Sequence, residues 1–168
     1  MKNGLALHKE FLKELDAEAR ASRQCLERIP DKLFDWKPHE KSMPMRSLTY
    51  VVADIPRWIK QIVETPEIDF ATYKHFQPKT TSDLVSHFDT NLKDAKKALE
   101  HTTDESLSET FSLKNKGEVL MSGSKKENIS SAINHLVHHR GQLTVYMRLN
   151  NIPVPSIYGP SADENKWQ

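Results

Sequence analysis

Near the start of the chain, apolar or small side chains recur at alternating steps of three and four residues. The positions are Leu5, His8, Leu12, Leu15, Ala19, Ser22, Leu26 and Ile29, and the other face is rich in Lys, Glu and Arg. That spacing predicts an amphipathic helix over about 5–29, ended by Pro30 because the residue before a proline is pushed out of helical geometry. A second stripe, Leu48, Val51, Val52, Ile55, Ile59 and Ile62, predicts a helix over about 45–64, with Ser42 or Ser47 as its cap and a kink at Pro56. A third, Leu84, Phe88, Asn91, Leu92, Ala95 and Leu99, predicts a helix over about 81–101 capped by Thr81 or Ser82. The fourth carries two adjacent stripes over about 125–149. One is Ile129, Ile133, Leu136, Leu143 and Met147, and the other is Ala132, His135, His139, Gln142, Tyr146 and Leu149. Two neighbouring stripes predict a broad buried face.

Between the third and fourth segments the period changes. Phe111 and Leu113 alternate with polar residues, a turn follows at Asn115–Gly117, and Val119 and Met121 come next, which predicts a β-hairpin near 110–121. Pro30, Pro38 and Pro44 mark the first connection, and Pro66 and Pro78 mark a long second one. The expected fold class is therefore all-α: one domain over 1–168, a four-helix bundle with a small hairpin between helices three and four. The second connection is long enough to cross the bundle, so simple up-down-up-down order is not required.

Composition narrows the function classes. The 168 residues hold 24 Lys+Arg against 23 Asp+Glu, a net charge of +1, which gives no reason to expect nucleic acid as a partner. A single cysteine, Cys25, excludes an internal disulfide and a cysteine-based zinc site, and it fits a reducing compartment. No apolar run approaches membrane-spanning length and no signal peptide is recognisable, so the expectation is a cytoplasmic protein without a membrane partner.

Eight histidines are present, and three fall in NHLVHHRGQ. His135 and His139 are one helical turn apart and share a face, a spacing at which two imidazoles can converge on one metal ion. His138 points about 100° away. Leu136 stands where a zinc protease of the HExxH type carries glutamate, and two ligands do not complete a site, so a pair of semi-buried histidines inside a bundle is the alternative. Gly141 lies inside this helical pattern, which implies close packing by a neighbour, and Arg140 beside it is expected in a surface salt bridge. Cys25 is expected to be a small buried hydrophobe, and Trp36 and Trp58 core or bundle-cap residues. Ser124 and Ser130 have no triad context, and neither a P-loop nor GxGxxG occurs.

The run NHLVHHRGQLTVYMRLNNIPVPSIYGPSADE, together with WKPHEKSM at Trp36–Met43 and ADIP at Ala53–Pro56, resembles the DinB-like (DinB/YfiT) superfamily over nearly the whole chain. The resemblance implies a bundle of up-down-down-up order. It also implies a zinc or nickel ion held by three histidines, two of them matching His135 and His139. The third family histidine falls at Val51, which cannot ligate a metal. Asp54 and His87 are the possible substitutes. Activities known in the superfamily imply transfer of a low-molecular-weight thiol to a small electrophile, or thiol-dependent isomerisation, and family habit implies a homodimer. Three readings remain open: a metal-dependent thiol transferase with a degenerate site, a metal-free bundle that binds a small molecule or a protein without catalysis, and a stress-associated homodimer with an interaction role.

Overall fold

The computed structural model describes residues 6–167, so Leu5, assigned above to the first stripe, lies outside the described residues. Four long helices are present: α1 (Leu7–Leu26), α2 (Met45–Glu64), α3 (Thr81–His101) and α4 (Lys125–Leu149). Three short strands accompany them, β1 (Glu67–Asp69), β2 (Thr110–Asn115) and β3 (Glu118–Ser124). The chain is mostly helical, but β1 is an element the sequence pattern did not predict. At three residues it is too short to show alternation.

Each of α1 and α2 packs extensively against both α3 and α4. The predicted stripes supply the core: Leu15, Leu26, Leu48, Val52, Ile59, Leu84, Phe88, Leu99, Ile129, Leu136, Leu143 and Met147 are fully or almost fully buried. Phe11 and Cys25 join them from outside the α1 stripe. Burial pushes the Cys25 thiol up to about 11, so it stays protonated and inert.

The helix starts differ from expectation in a physically readable way. Thr80, not Thr81 or Ser82, caps α3 in a reciprocal box with Asp83. Thr81 instead donates its backbone N–H to Asp31 and its hydroxyl to the Ile29 carbonyl, tying the end of α1 to the start of α3. Ser124 and Glu127 form a second box at α4. Neither Ser42 nor Ser47 caps α2: its N-cap is Pro44, whose missing N–H is no loss at a position where the donor has no helical partner. The helix continues through Pro56. Helix α1 ends at Leu26, three residues before the expected limit.

β2 pairs antiparallel with β3 and parallel with β1, giving the strand order β1-β2-β3. The β2–β3 turn has Lys116 and Gly117 at φ +53° and +81°, the geometry a two-residue hairpin requires and one that glycine adopts without strain. Asp69, at the end of β1, accepts from both turn amides, Lys116 N at 2.9 Å and Gly117 N at 2.7 Å. The carboxylate thus fastens the second connection to the hairpin.

Two expectations for α4 change. Gly141 is exposed, and a Cβ built there would meet nothing within 4 Å, so no neighbour requires a glycine. Arg140 is no surface residue. It is 2% exposed, and its Nη1 donates to Oε2 of Glu18 at 2.6 Å and to the Glu18 carbonyl at 3.0 Å. Its Nη2 donates to the Tyr158 hydroxyl at 2.6 Å. The C-terminal segment is pinned further by Arg28 to Glu164 and Arg148 to Asp163.

Gly141→Ala is expected to raise stability by up to about 1 kcal/mol, since alanine is the better helix former and nothing there clashes; thermal unfolding measures it. Arg140→Ala is expected to cost about 3–5 kcal/mol in denaturant unfolding, because it strands the Glu18 carboxylate. Arg148→Ala, which removes a pair whose side chains are 50% and 25% exposed, is expected to cost less than about 1 kcal/mol.

Candidate functional site: a histidine-flanked apolar cleft

The second connection does more than return the chain. After β1 it lays Phe70, Tyr73 and His75 against the α2 face that carries Tyr50, Val51, Asp54, Ile55 and Trp58, and α4 contributes His135 and His139. These residues enclose a cavity of about 320 Å³ with an almost wholly apolar wall. A second chamber of about 230 Å³ lies on the other side of Ile55, Trp58, Phe70 and His135, which line both. Its outer wall comes from Phe111, Leu113 and Met121 of the hairpin. Trp58, expected as a core or cap residue, is a partition between chambers, with its ring centroid 5.4 Å from that of Phe70 and 5.5 Å from that of Tyr73.

The two predicted histidines meet at this cleft. Their Nε2 atoms are 2.6 Å apart, a hydrogen bond in which one ring donates and the other accepts. Nδ1 of His139 is 2.7 Å from Oε1 of Gln142. With the amide oxygen as acceptor, His139 carries its proton on Nδ1 and accepts at Nε2, so His135 donates from Nε2. Burial lowers both imidazoles below their ordinary value. The neighbouring rings lower His135 further, whereas the bond to Gln142 partly offsets the shift of His139. Tyr146, on the same α4 stripe, does not reach the cleft: it donates to the Met43 carbonyl and meets the Trp36 ring edge-on. Leu149 on that stripe is 58% exposed, so the second stripe of α4 is only partly buried.

Asp54 is the most engaged polar group of the site. It is 3% exposed, and its Oδ2 accepts from the hydroxyls of Tyr73 at 2.5 Å and Tyr50 at 2.9 Å. Oδ1 accepts from Nε2 of His87 at 2.8 Å. Burial alone would raise this carboxyl; the bonds from His87, Tyr73 and Tyr50 outweigh it and hold the group below the ordinary carboxylate range. Burial, followed by the adjoining carboxylate, raises both tyrosines, so they remain donors at neutral pH. His87 is also stacked on Phe76, with ring centroids 4.4 Å apart and planes 14° apart.

These contacts bear on a three-histidine metal centre. A tetrahedral zinc with bonds of about 2.0–2.1 Å sets its nitrogen ligands about 3.3 Å apart, and the two Nε2 atoms are instead bonded to each other at 2.6 Å. Val51 lines the cavity in the place of the third histidine. Asp54 and His87, the candidate substitutes, are bound to one another. Among the described residues no group of three or more His, Cys, Asp or Glu side chains is arranged to hold a metal ion. The residues in this arrangement do not fit that centre.

Nothing in the sequence marks His75, since an isolated histidine between prolines carries no periodic signal. Here it lines the cavity, with Nδ1 at 3.4 Å from the Tyr50 hydroxyl and its ring edge-on to Tyr73.

The DinB family model matches residues 1–167. A DinB-like protein from Bacillus cereus ATCC 10987, of known crystal structure, superimposes with a TM-score of 0.68 at 21% identity, over 89% of this chain and 97% of that one. The DinB-like protein YjoA of Bacillus subtilis gives 0.67 at 19% identity, over 94% and 99%. At these identities the likeness is one of fold. The uncharacterized protein YrdA of Bacillus subtilis (strain 168) is 56% identical over 32 residues, a stretch that spans 19% of each chain.

In an NMR titration both His135 and His139 are expected to protonate below the ordinary value of about 6.5. Between that value and the lowered one the unfolded chain binds more protons than the folded protein. Stability is therefore expected to fall as pH drops below about 6.5, and His139→Ala is expected to flatten that slope.

Proposed function

The chain belongs to the DinB family, and from that premise we propose that it is a metal-free member whose two-chambered cleft binds a small, largely apolar molecule. The observation that carries this reading is the cavity itself: about 320 Å³, apolar, and flanked by a hydrogen-bonded histidine pair in place of a three-ligand centre. Val51 fills the position of a third imidazole with two methyl groups, and the nearby carboxylate has three other donors. A pocket that size accepts a ligand of modest dimensions, and its walls favour apolar over charged chemistry.

A second reading rests on the convergence of His135 and His139 on one cavity with His75. It is the family's metal-dependent thiol transferase, in which zinc or nickel would be held by His135, His139 and a substitute ligand, a low-molecular-weight thiol and a small electrophile being the substrates. The up-down-down-up helix order, a homodimer, a cytoplasmic location and the absence of nucleic-acid or membrane partners belong to the same proposal. The helix order is supported by the pairs Arg23–Asp89 and Asp16–Lys96, which run α1 against α3, and by Asp54–His87 and Lys60–Asp94, which run α2 alongside α3 in the same direction. The membrane statement is supported by the lack, among the described residues, of a helix long and apolar enough to cross a bilayer.

Titration calorimetry with zinc and nickel separates the readings. The natural chain is expected to bind either ion weakly. Val51→His is expected to tighten binding by about a hundredfold or more, since it adds a ligand on a folded scaffold. Tight binding by the natural chain that is lost in His139→Ala would overturn the metal-free reading and show that a substitute ligand exists, and Asp54, His87 and His75 would then be replaced in turn to find it.

A further inference from the structure

The cleft's polar groups restrict what its ligand can be. Resting on the reading that this cleft is a metal-free binding site, we infer that its ligand is an uncharged alkyl-substituted phenol, or a molecule of that chemical class, with its hydroxyl donated to Nδ1 of His135. Three independent features of the site lead there.

The first is proton order. Gln142 accepts from Nδ1 of His139, so Nε2 of His139 holds a lone pair and receives the Nε2 proton of His135 across 2.6 Å. A neutral imidazole carries one proton. Nδ1 of His135 is therefore an acceptor, and among the described residues it has no hydrogen-bond partner. A matching ligand supplies a donor there, not a carbonyl or a carboxylate.

The second is charge. Asp54 is the one carboxylate lining the chamber, and both of its oxygens are taken, Oδ1 by His87 and Oδ2 by the two tyrosines. Arg57 sits over the outer side of the site with its guanidinium 4.6 Å from the Tyr73 ring centre and one N–H given to the Lys74 carbonyl. Asp54 already has these three donors and Arg57 at 3.8 Å, Arg57 itself is not part of the chamber lining, and bringing a carboxylate or an ammonium group into the apolar chamber costs its hydration.

The third is shape. Tyr50, Trp58, Phe70 and Tyr73 give the first chamber four aromatic walls, which suit a flat ring. His135 lies on the boundary with the second chamber, whose walls are mostly apolar, with Ile62, Leu113, Phe111 and Met121 among them, and include the polar side chains Asn128 and Ser131. A ring that meets His135 in the first chamber has its apolar substituent directed to the second. Met121, 49% exposed on β3, thereby gains a role as the lip of that chamber.

NMR titration of the full chain with 4-propylphenol, phenol, propylbenzene and 4-propylbenzoate tests this. The propylphenol is expected to bind about five- to tenfold more tightly than propylbenzene, the yield of one net hydrogen bond, and the benzoate is expected to show no saturable binding. His135→Phe, at an exposed position, is expected to abolish the hydroxyl preference while retaining propylbenzene binding. Met121→Glu is expected to weaken propylphenol and leave phenol unchanged. Equal affinities for propylphenol and propylbenzene, a hydroxyl preference that survives His135→Phe, or a preference for the benzoate would each overturn the inference. If an apolar fluorescent dye binds and is lost on Val51→Trp while no phenol binds, the ligand class is wrong and the cleft reading stands. If neither dye nor phenol binds, both are wrong.

Discussion

A guanidinium buried between α4, α1 and the C-terminal segment constrains how the rest of the chain can be arranged. Arg140, 2% exposed in the middle of α4, is satisfied by the carboxylate and backbone carbonyl of Glu18 on α1 and by the hydroxyl of Tyr158 in the C-terminal segment. Tyr158 in turn donates to Glu18 at 2.9 Å, which closes a three-membered ring of charge-assisted contacts. A charge removed from water tolerates few geometries, because each donor it fails to place costs the desolvation penalty of that group. The phase of α4 relative to α1 is therefore set on one side by Arg140. On its other side, the same rotation presents His135 and His139 to α2. The C-terminal run after α4 is held in place by this ring and by Arg28–Glu164 and Arg148–Asp163.

The second buried charge, Asp54, acts on the opposite side of α4. It links α2, the second connection and α3 through Tyr50, Tyr73 and His87. The network has a structural consequence and a chemical one. It fixes Tyr73 against Trp58, so that an otherwise irregular segment becomes a cavity wall. It also consumes the donor and acceptor capacity of the groups best suited to replace a missing metal ligand. Three donors satisfy the oxygens of the ionised carboxylate, and the rest of the chamber lining is mostly apolar.

Against this background the valine at position 51 is consistent with its surroundings. Its methyl groups continue the wall formed by Ile55 and Trp58. In the histidine pair opposite, the Nε2 atoms satisfy each other and Gln142 takes Nδ1 of His139, which leaves Nδ1 of His135 without a protein partner among the described residues. Within a family fold shared with the Bacillus proteins at about one-fifth identity, the same helices can thus carry an apolar cleft flanked by a histidine pair.

The four helices, their approximate limits and most of the core were legible in the chain, because three-four periodicity states directly which face of a helix leaves water. His135 and His139 were legible as a pair for the same reason: one turn of helix brings them together whatever surrounds them. Residues whose role depends on distant partners were not. Arg140 read as a surface cation, since nothing local reveals Glu18 at a separation of 122 residues. Gly141 read as a close contact, yet faces open space. His75 and Tyr73 lie in a stretch without periodicity and enter the site only because β1 pairs with β2 and Asp69 fastens the hairpin turn. Local spacing determined which elements form and which faces they bury. Tertiary structure alone decided which buried charges meet, how the histidine protons are ordered, and that the space between α2, α4 and the second connection is an apolar cleft, because each of these depends on contacts between residues that the chain itself keeps far apart.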